Sequence, residues 1–144
     1  MEKLLISACF IGENVKYDGG NNKLDDFTLL QLKKRFILLP FCPEVAGGLP
    51  TPRSPAERIN KKVVTKSGVD VTKEFLDGAK KTLEFCKKNA IKKALLKEGS
   101  PSCGSSYIYD GTFTSKKISQ QGVTAELLRK NSIKVFSEKE LIFK

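Results

Sequence analysis

Three cysteines stand at positions where a reactive or metal-binding site could form. Cys9 follows the apolar stretch KLLISA, Cys42 follows FILLPF, and Cys103 lies a few residues beyond KKALLK in the loop KEGSPSCGSSYIYDG. Thiolates bind soft metals, and they act as nucleophiles when their pKa is lowered. The fourth cysteine, Cys86, falls on the apolar face of a predicted helix, where we expect a small buried hydrophobic side chain.

The absence of histidine limits the kinds of catalytic and metal-binding sites that these cysteines can form. None of the 144 residues is a histidine, which excludes Cys-His dyads, Ser-His-Asp triads and histidine-containing zinc sites. A structural zinc site usually has paired ligands such as C-x-x-C, and the chain has no such pair. Three thiolates fit an iron–sulfur cluster better, with one iron left open for a substrate. The spacing alone equally allows that the cysteines are only residues of tight turns.

Predicted strands and helices alternate along the chain. Apolar runs predict strands over 3–8, 36–41, 92–97 and 133–137, and helical periodicity predicts helices over 24–35, 73–89 and 122–131. In the first helix the apolar spacing predicts that Phe27 and Leu30 form the buried face, with Leu29 and Leu32 as further candidates for burial. Prolines and glycines predict a loop over 42–58, and the segment KVVTKSGVDVT predicts a hairpin that turns at 66–68.

This alternation is typical of an α/β fold, namely a mostly parallel, Rossmann-like sheet with helices on both faces. The length fits one compact domain, which we expect to span residues 1–144. The carboxyl ends of neighbouring parallel strands meet at the switch point of such a sheet, where ligands bind. Because Cys9, Cys42 and Cys103 each follow a strand, they are expected to converge there.

The composition limits which partners the protein can bind and in which cellular compartment we expect it. The chain has 26 lysines and arginines against 16 acidic residues, a net charge of +10. This charge can attract nucleotides or RNA, although the scattered lysines are also typical of a solvated surface. No apolar run reaches the ~20 residues needed to cross a membrane, and the first segment lacks a signal-peptide cleavage pattern. We therefore expect a cytoplasmic protein with reduced thiols and no membrane partner.

Polar and small residues surround the cysteines. Glu44, Ser100 and Ser102 are polar residues within three positions of a cysteine. The glycines of AGGLP and GSPSCGSS would allow a cofactor to approach the backbone closely. Arg53 is predicted either to pair with a carboxylate or to bind a substrate phosphate. Lys16 and the pair at 116–117 are the other cationic candidates for a phosphate.

Four segments, in the same order and spanning nearly the whole chain, resemble the thiouracil desulfidase family: SACFIGENVKYDG, PFCPEVAGGLPTPRSPAE, KEGSPSCGSSYIYDGTF and QGVTAELLRKNSIKVFSE. The resemblance implies a 4Fe-4S cluster held by Cys9, Cys42 and Cys103, with one open iron. It also implies a catalytic glutamate and serine at Glu44 and Ser100, with Ser102 as the alternative serine. The implied substrates are thiolated pyrimidine bases, nucleosides or nucleotides, and thiolated transfer RNA.

The implied reaction replaces C=S by C=O without net electron transfer. The open iron would bind the thiocarbonyl sulfur, water activated by Glu44 would attack the carbon, and Ser100 would relay a proton or bind the developing anion. Three other functions stay open at this point. They are a nucleotide- or RNA-binding module without catalysis, a cluster-free thiol enzyme or sulfur carrier with Cys103 as its nucleophile, and a structural metal site.

Overall fold

Twelve helices and strands account for the regular structure of residues 1–141, which are the residues that the computed structural model describes. In chain order they are β1 (Glu2–Ser7), α1 (Asp26–Arg35), β2 (Phe36–Phe41), α2 (Pro43–Ala46), β3 (Ala56–Ile59), β4 (Lys62–Thr65), α3 (Thr72–Lys88), β5 (Lys93–Leu96), β6 (Ile108–Tyr109), β7 (Lys117–Ile118), α4 (Val123–Lys130) and β8 (Lys134–Ser137). Short 3-10 turns follow β1 at Ala8–Ile11 and β8 at Glu138–Glu140. Ser137 and Glu140 form a capping box at the start of the second turn.

The central sheet has four parallel strands in the order β2-β1-β5-β8. Side chains alternate across a strand, so β1 supplies both cores. Leu5 packs with Cys86 of α3 and Leu128 of α4 on one face, whereas Leu4 packs with Leu32 of α1 on the other. Burial of each such side chain contributes about 1.5–3 kcal/mol. Helices therefore cover both faces, which confirms the predicted α/β fold.

The apolar face predicted for α1 is wrong. Phe27 and Leu30 are 56% and 51% exposed. Leu29 and Leu32 are instead the buried residues of this helix. Both pairs have the i, i+3 spacing of a helix face, so periodicity cannot choose between them. Leu32 is buried because it packs against Leu4 and Leu95 of the sheet.

The loop predicted over 42–58 contains a helical turn, α2, and a strand, β3. Strand β4 pairs antiparallel with β3 rather than with the segment after it. The hairpin predicted to turn at 66–68 is reduced to a bridge between Val64 and Asp70. Arg58 of β3 fixes the β3–β4 hairpin to α4, because its guanidinium donates to Glu126 Oε2 at 2.7 Å. The prolines that precede β3 concealed this strand in the sequence.

Two glycines let α2 lie directly on α3. A Cβ on Gly47 would stand 2.0 Å from the carbonyl oxygen of Glu74, and a Cβ on Gly78 would stand 2.1 Å from that of Pro43. Either side chain would push the two backbones apart. Gly47 thus serves contact between two helices, not the close approach of a cofactor that the sequence suggested. The contact fixes the position of Cys42 and Glu44 at the start of α2.

No helix within residues 1–141 has both the length and the apolar character that crossing a membrane requires.

Candidate active site

A cavity of about 550 Å³ lies beyond the carboxyl ends of β1, β2 and β5. This volume is ordinary for a small-molecule site. The residues that line it include Cys9, Cys42, Cys103, Glu44 and Ser100. The structure therefore brings together all five residues that the sequence singled out. They meet at the switch point of the sheet, where β2 lies on one side of β1 and β5 on the other, as expected for a parallel sheet.

Each of the three cysteines is held by a different type of local structure. Cys9 lies in the 3-10 turn after β1, and its Sγ accepts a hydrogen bond of 3.5 Å from the Asn22 side-chain amide. Cys42 is the N-cap residue of α2. Cys103 lies in the loop after β5, with its backbone N–H donating to Ser100 Oγ at 3.1 Å.

The fourth thiol lies elsewhere. Cys86 is fully buried between α3 and the sheet and does not line the cavity. This confirms its predicted role as a small hydrophobic side chain. All four thiols are free.

The surroundings of the three cavity thiols oppose their ionisation, which a nucleophilic cysteine requires. Burial raises the pKa of the Cys103 thiol well above its usual value, and the nearby negative charges of Glu44 and Cys42 raise it further. Burial also raises the pKa of Cys9 and of Cys42. An activated nucleophilic cysteine needs a lowered pKa. Metal binding can remove such protons because it stabilises the thiolate strongly.

The donor set fits an iron–sulfur cluster. Three cysteine thiols converge, and thiolates are the usual ligands of such clusters. Within residues 1–141, no three side chains of the His, Cys, Asp and Glu types come close enough to hold a single metal ion. A cluster has no such requirement, because each of its cysteines binds a different iron. Val15 also lines the cavity and adds no fourth thiol.

Glu44, two residues after Cys42, lines the same cavity as the three cysteines. Its Oε1 lies 3.3 Å from Arg53 Nε, and its Oε2 accepts a hydrogen bond of 3.4 Å from Ser100 Oγ. Burial raises the pKa of Glu44, and the Arg53 charge and the Ser100 hydrogen bond oppose this only in part. A general base works best when its pKa lies close to the pH of the reaction. The raised pKa moves the Glu44 carboxylate toward that range.

Arg53 fixes Glu44 and the loops around it. Besides its contact with Glu44, its guanidinium donates to the carbonyl oxygens of Val15 at 2.9 Å and Pro50 at 3.1 Å. Its backbone N–H donates to the carbonyl oxygen of Tyr17 at 2.6 Å. The structure thus favours the predicted ion pair with a carboxylate over the predicted contact with a substrate phosphate, because protein groups already occupy the guanidinium.

The two candidate serines have different surroundings. Ser100 lines the cavity and contacts Glu44. Ser102 is 1% exposed, and its hydroxyl bonds to Thr124 Oγ1 of α4 at 2.7 Å. Ser102 therefore anchors the loop to α4. The geometry favours Ser100 as the residue that can act on a substrate.

Sequence reasoning missed Glu98, which organises the loop that carries Ser100 and Cys103. Its buried carboxylate accepts hydrogen bonds from the backbone N–H groups of Ser105 and Ser106 at 2.7 and 2.9 Å and from Ser105 Oγ at 2.7 Å. Burial alone would raise the pKa of Glu98, but these hydrogen bonds lower it to about 2. Its place just after β5 was the available signal, because charged residues at the carboxyl end of a core strand border the ligand cavity.

We expect Glu98→Gln to destabilise the protein more at pH 7 than at pH 3. At pH 7 the variant loses a buried, hydrogen-bonded charge, which costs roughly 1–3 kcal/mol. Because folding lowers the pKa of Glu98 from 4.5 to about 2, the charge stabilises the fold above pH ~4.5 and this contribution is lost as the pH falls toward ~2. Urea unfolding of parent and variant at both pH values measures the difference. The exposed carboxylate variant Glu84→Gln is the control, and an equal destabilisation at both pH values would contradict the assignment.

Two of the other lysines that the sequence offered as phosphate-binding candidates already contact protein groups. Lys16 Nζ lies 3.7 Å from Asp18 Oδ2, and Lys117 Nζ lies 4.5 Å from the centre of the Tyr107 ring. The sequence did not single out Lys66 and Lys97, which also line the cavity. Lys97 is paired with Glu138 at 2.7 Å, and Glu44, Glu57 and Glu98 line the same cavity, so the cavity wall carries charges of both signs.

The loop between β6 and β7 forms one lip of the cavity. It contains Phe113 and Ser115, both cavity-lining residues with left-handed backbones at φ 58° and 61°. A non-glycine residue in this region costs of order 1–3 kcal/mol, and such residues cluster at functional sites. The sequence did not single out Phe113.

A family model and a solved structure both relate the chain to thiouracil desulfidases, and a curated relative matches nearly its whole length. The sequence model of a family described as 2-thiouracil desulfurase matches residues 4–140. The chain is 42% identical, over 148 aligned residues, to the uncharacterized protein YbbK of Bacillus subtilis (strain 168), a match that covers 96% of this chain and 97% of YbbK. It also resembles the solved structure of TudS, a 4Fe-4S-dependent thiouracil desulfidase, with a TM-score of 0.93 and 51% identity over 98% of this chain and 93% of TudS.

Proposed function

Because the chain belongs to the 2-thiouracil desulfurase family, we propose that it is an iron–sulfur-dependent desulfidase of thiolated pyrimidines. It replaces the thiocarbonyl of a thiouracil or thiouridine derivative by a carbonyl and releases sulfide. The observation that carries this proposal is the convergence of three free thiols with Glu44 and Ser100 in one cavity. The similarity to TudS supports the same function.

Cys9, Cys42 and Cys103 would hold a 4Fe-4S cluster with one iron lacking a protein ligand. When bound, such a cluster supplies a Lewis acid that polarises the thiocarbonyl group. The chain contributes the shape and charge of the cavity. Aromatic residues and lysines in its wall suit a planar, polar base. Free thiols are also what the reducing cytoplasm maintains, and we place the enzyme there.

Glu44 acts as the general base. Its carboxylate accepts a proton from the attacking water, and Arg53 keeps the carboxylate in position through the 3.3 Å contact. Ser100 donates to the other carboxylate oxygen at 3.4 Å and stands beside Cys103. Its hydroxyl can pass a proton between Glu44 and the substrate or donate to a developing anion.

The reaction is balanced without an oxidant or a reductant. One bond forms between the water oxygen and the ring carbon, and the carbon–sulfur bond breaks. The two protons of water leave with the sulfur as H₂S, or as HS⁻ after one proton passes to solvent. The product is the oxygen analogue of the base.

The proposal is tested by anaerobic reconstitution with iron and sulfide, followed by incubation with thiouracil. We expect uracil and sulfide in equal amounts from the loaded protein and neither from the protein before reconstitution. A parallel series with 4-thiouridine, its 5′-monophosphate and thiolated transfer RNA identifies the preferred substrate form. The proposal fails if the loaded, folded protein releases sulfide from none of them.

A further inference from the structure

Phe113 occupies a backbone conformation that favours glycine. Its φ is 58°, in the left-handed region where a bulky side chain is an outlier. Glycine would adopt the same backbone without a steric penalty, and asparagine would do so more readily than phenylalanine. Phenylalanine is therefore an unfavourable residue for the backbone conformation at position 113. We infer that its side chain has a role that offsets this cost.

The surrounding loop is held firmly in this arrangement. The carboxylate of Glu57, on β3, accepts hydrogen bonds from the backbone N–H groups of Gly111 at 2.9 Å and Phe113 at 3.1 Å. The N–H of Asp110 donates to the carbonyl oxygen of Lys116 at 2.9 Å and closes the loop. The backbone of residue 113 is thus fixed from two sides, and its conformation belongs to a defined lip of the cavity.

Packing of the protein core does not explain the ring. In the part of the chain that the structure describes, Phe113 belongs to none of the three hydrophobic clusters that form around the sheet and α3. It is half-buried, and it lines the same cavity as Cys9, Cys42 and Cys103. An aromatic side chain at this place is available to a bound molecule.

We propose that Phe113 is a specificity-determining residue whose ring forms the wall against which the planar ring of the substrate binds. This inference rests on the proposed desulfidase function. A flat aromatic side chain favours a planar heteroaromatic ring over an acyclic thioamide, because only the former offers a face for stacking. Tyr109, at the base of the same loop, also lines the cavity and extends the aromatic wall.

The test compares reconstituted parent, Phe113→Gly and Phe113→Leu. For thiouracil we expect KM to rise about ten-fold in Phe113→Gly, the size of effect typical of losing one stacking contact, with kcat little changed. Phe113→Leu should lie between the parent and Phe113→Gly. For an acyclic thioamide, the parent and both variants should have similar kcat/KM. The preference for thiouracil should therefore fall in the variants.

A second measurement separates this role from a structural one. Ser132 also has a left-handed backbone, with φ 63°, but lies just after α4 and does not line the cavity. Ser132→Gly and Phe113→Gly relieve the same kind of strain, so their urea unfolding midpoints should change to a similar, small extent. Only Phe113→Gly should change KM.

The outcomes separate this inference from the proposed function. An inactive loaded parent would refute the proposed function. An active parent whose KM and substrate preference persist in Phe113→Gly would overturn the role of Phe113 alone. A much lower unfolding midpoint for Phe113→Gly than for Ser132→Gly would make the ring a structural element and would also overturn it.

Discussion

Cys103→Ser is expected to abolish cluster formation and all desulfidase activity. The serine hydroxyl does not ionise near neutral pH and is a poor ligand for iron, whereas a cysteine thiolate is the usual ligand of iron–sulfur clusters. After anaerobic reconstitution the parent should bind about four irons per chain and show the broad visible absorption of a cluster. The variant should show neither, and Cys9→Ser and Cys42→Ser should behave in the same way.

Cys86→Ser is the matched control. Cys86 is as well buried as Cys103, so both substitutions place a hydroxyl in an apolar environment at a cost of about 1–3 kcal/mol. Cys86 does not line the cavity, so its variant should retain iron and activity if it is folded. Circular dichroism establishes folding for both. If folded Cys103→Ser carried as much iron as Cys86→Ser, the proposed ligand set would be wrong.

Glu44→Gln is expected to lower kcat by roughly 10²–10⁴-fold, the usual contribution of a general acid or base. The amide keeps the size of the side chain but cannot accept the proton of the attacking water. Iron content and visible absorption should stay at the parent level, because Glu44 is not among the proposed ligands. Steady-state kinetics with thiouracil and iron analysis on the same samples measure both effects.

Two comparisons make this prediction specific. Glu84→Gln removes an exposed carboxylate on α3 and should leave kcat unchanged. Glu44→Asp restores a carboxylate on a shorter side chain and should recover part of the activity. A cluster-loaded Glu44→Gln with the kcat of the parent would remove Glu44 from the mechanism. Loss of iron in this variant would show that Glu44 supports the cluster instead.

Local sequence patterns were sufficient for the central sheet. The apolar runs that became β1, β2, β5 and β8 are short and separated by amphipathic helices, and this alternation permits few topologies other than a parallel sheet. The prediction that the three cysteines converge followed from the same rule. It required only that each cysteine follow a strand, since the carboxyl ends of parallel strands lie at one edge.

Local patterns failed where two arrangements satisfied the same spacing. In α1 both Phe27 with Leu30 and Leu29 with Leu32 have helix spacing, and only the orientation of α1 on the sheet selected the second pair for burial. Strand β3 was missed because several prolines precede it, and it exists because β4 supplies its partner. The sequence placed the catalytic serine at Ser100 with Ser102 as the alternative, and the hydrogen bond of Ser102 to Thr124 of α4 favours Ser100.

Residue types and the order of strands and helices along the chain were enough to predict the fold class, the convergence of the three thiols and the absence of histidine chemistry. Three-dimensional packing selected the serine that faces the cavity and the contact of Arg53 with Glu44. It also placed Glu98 in the Cys103 loop and Phe113 at the lip. These features depend on contacts between segments that are distant along the chain. Such contacts leave no periodic signal in the sequence, because hydrogen-bonding partners are selected by position in space.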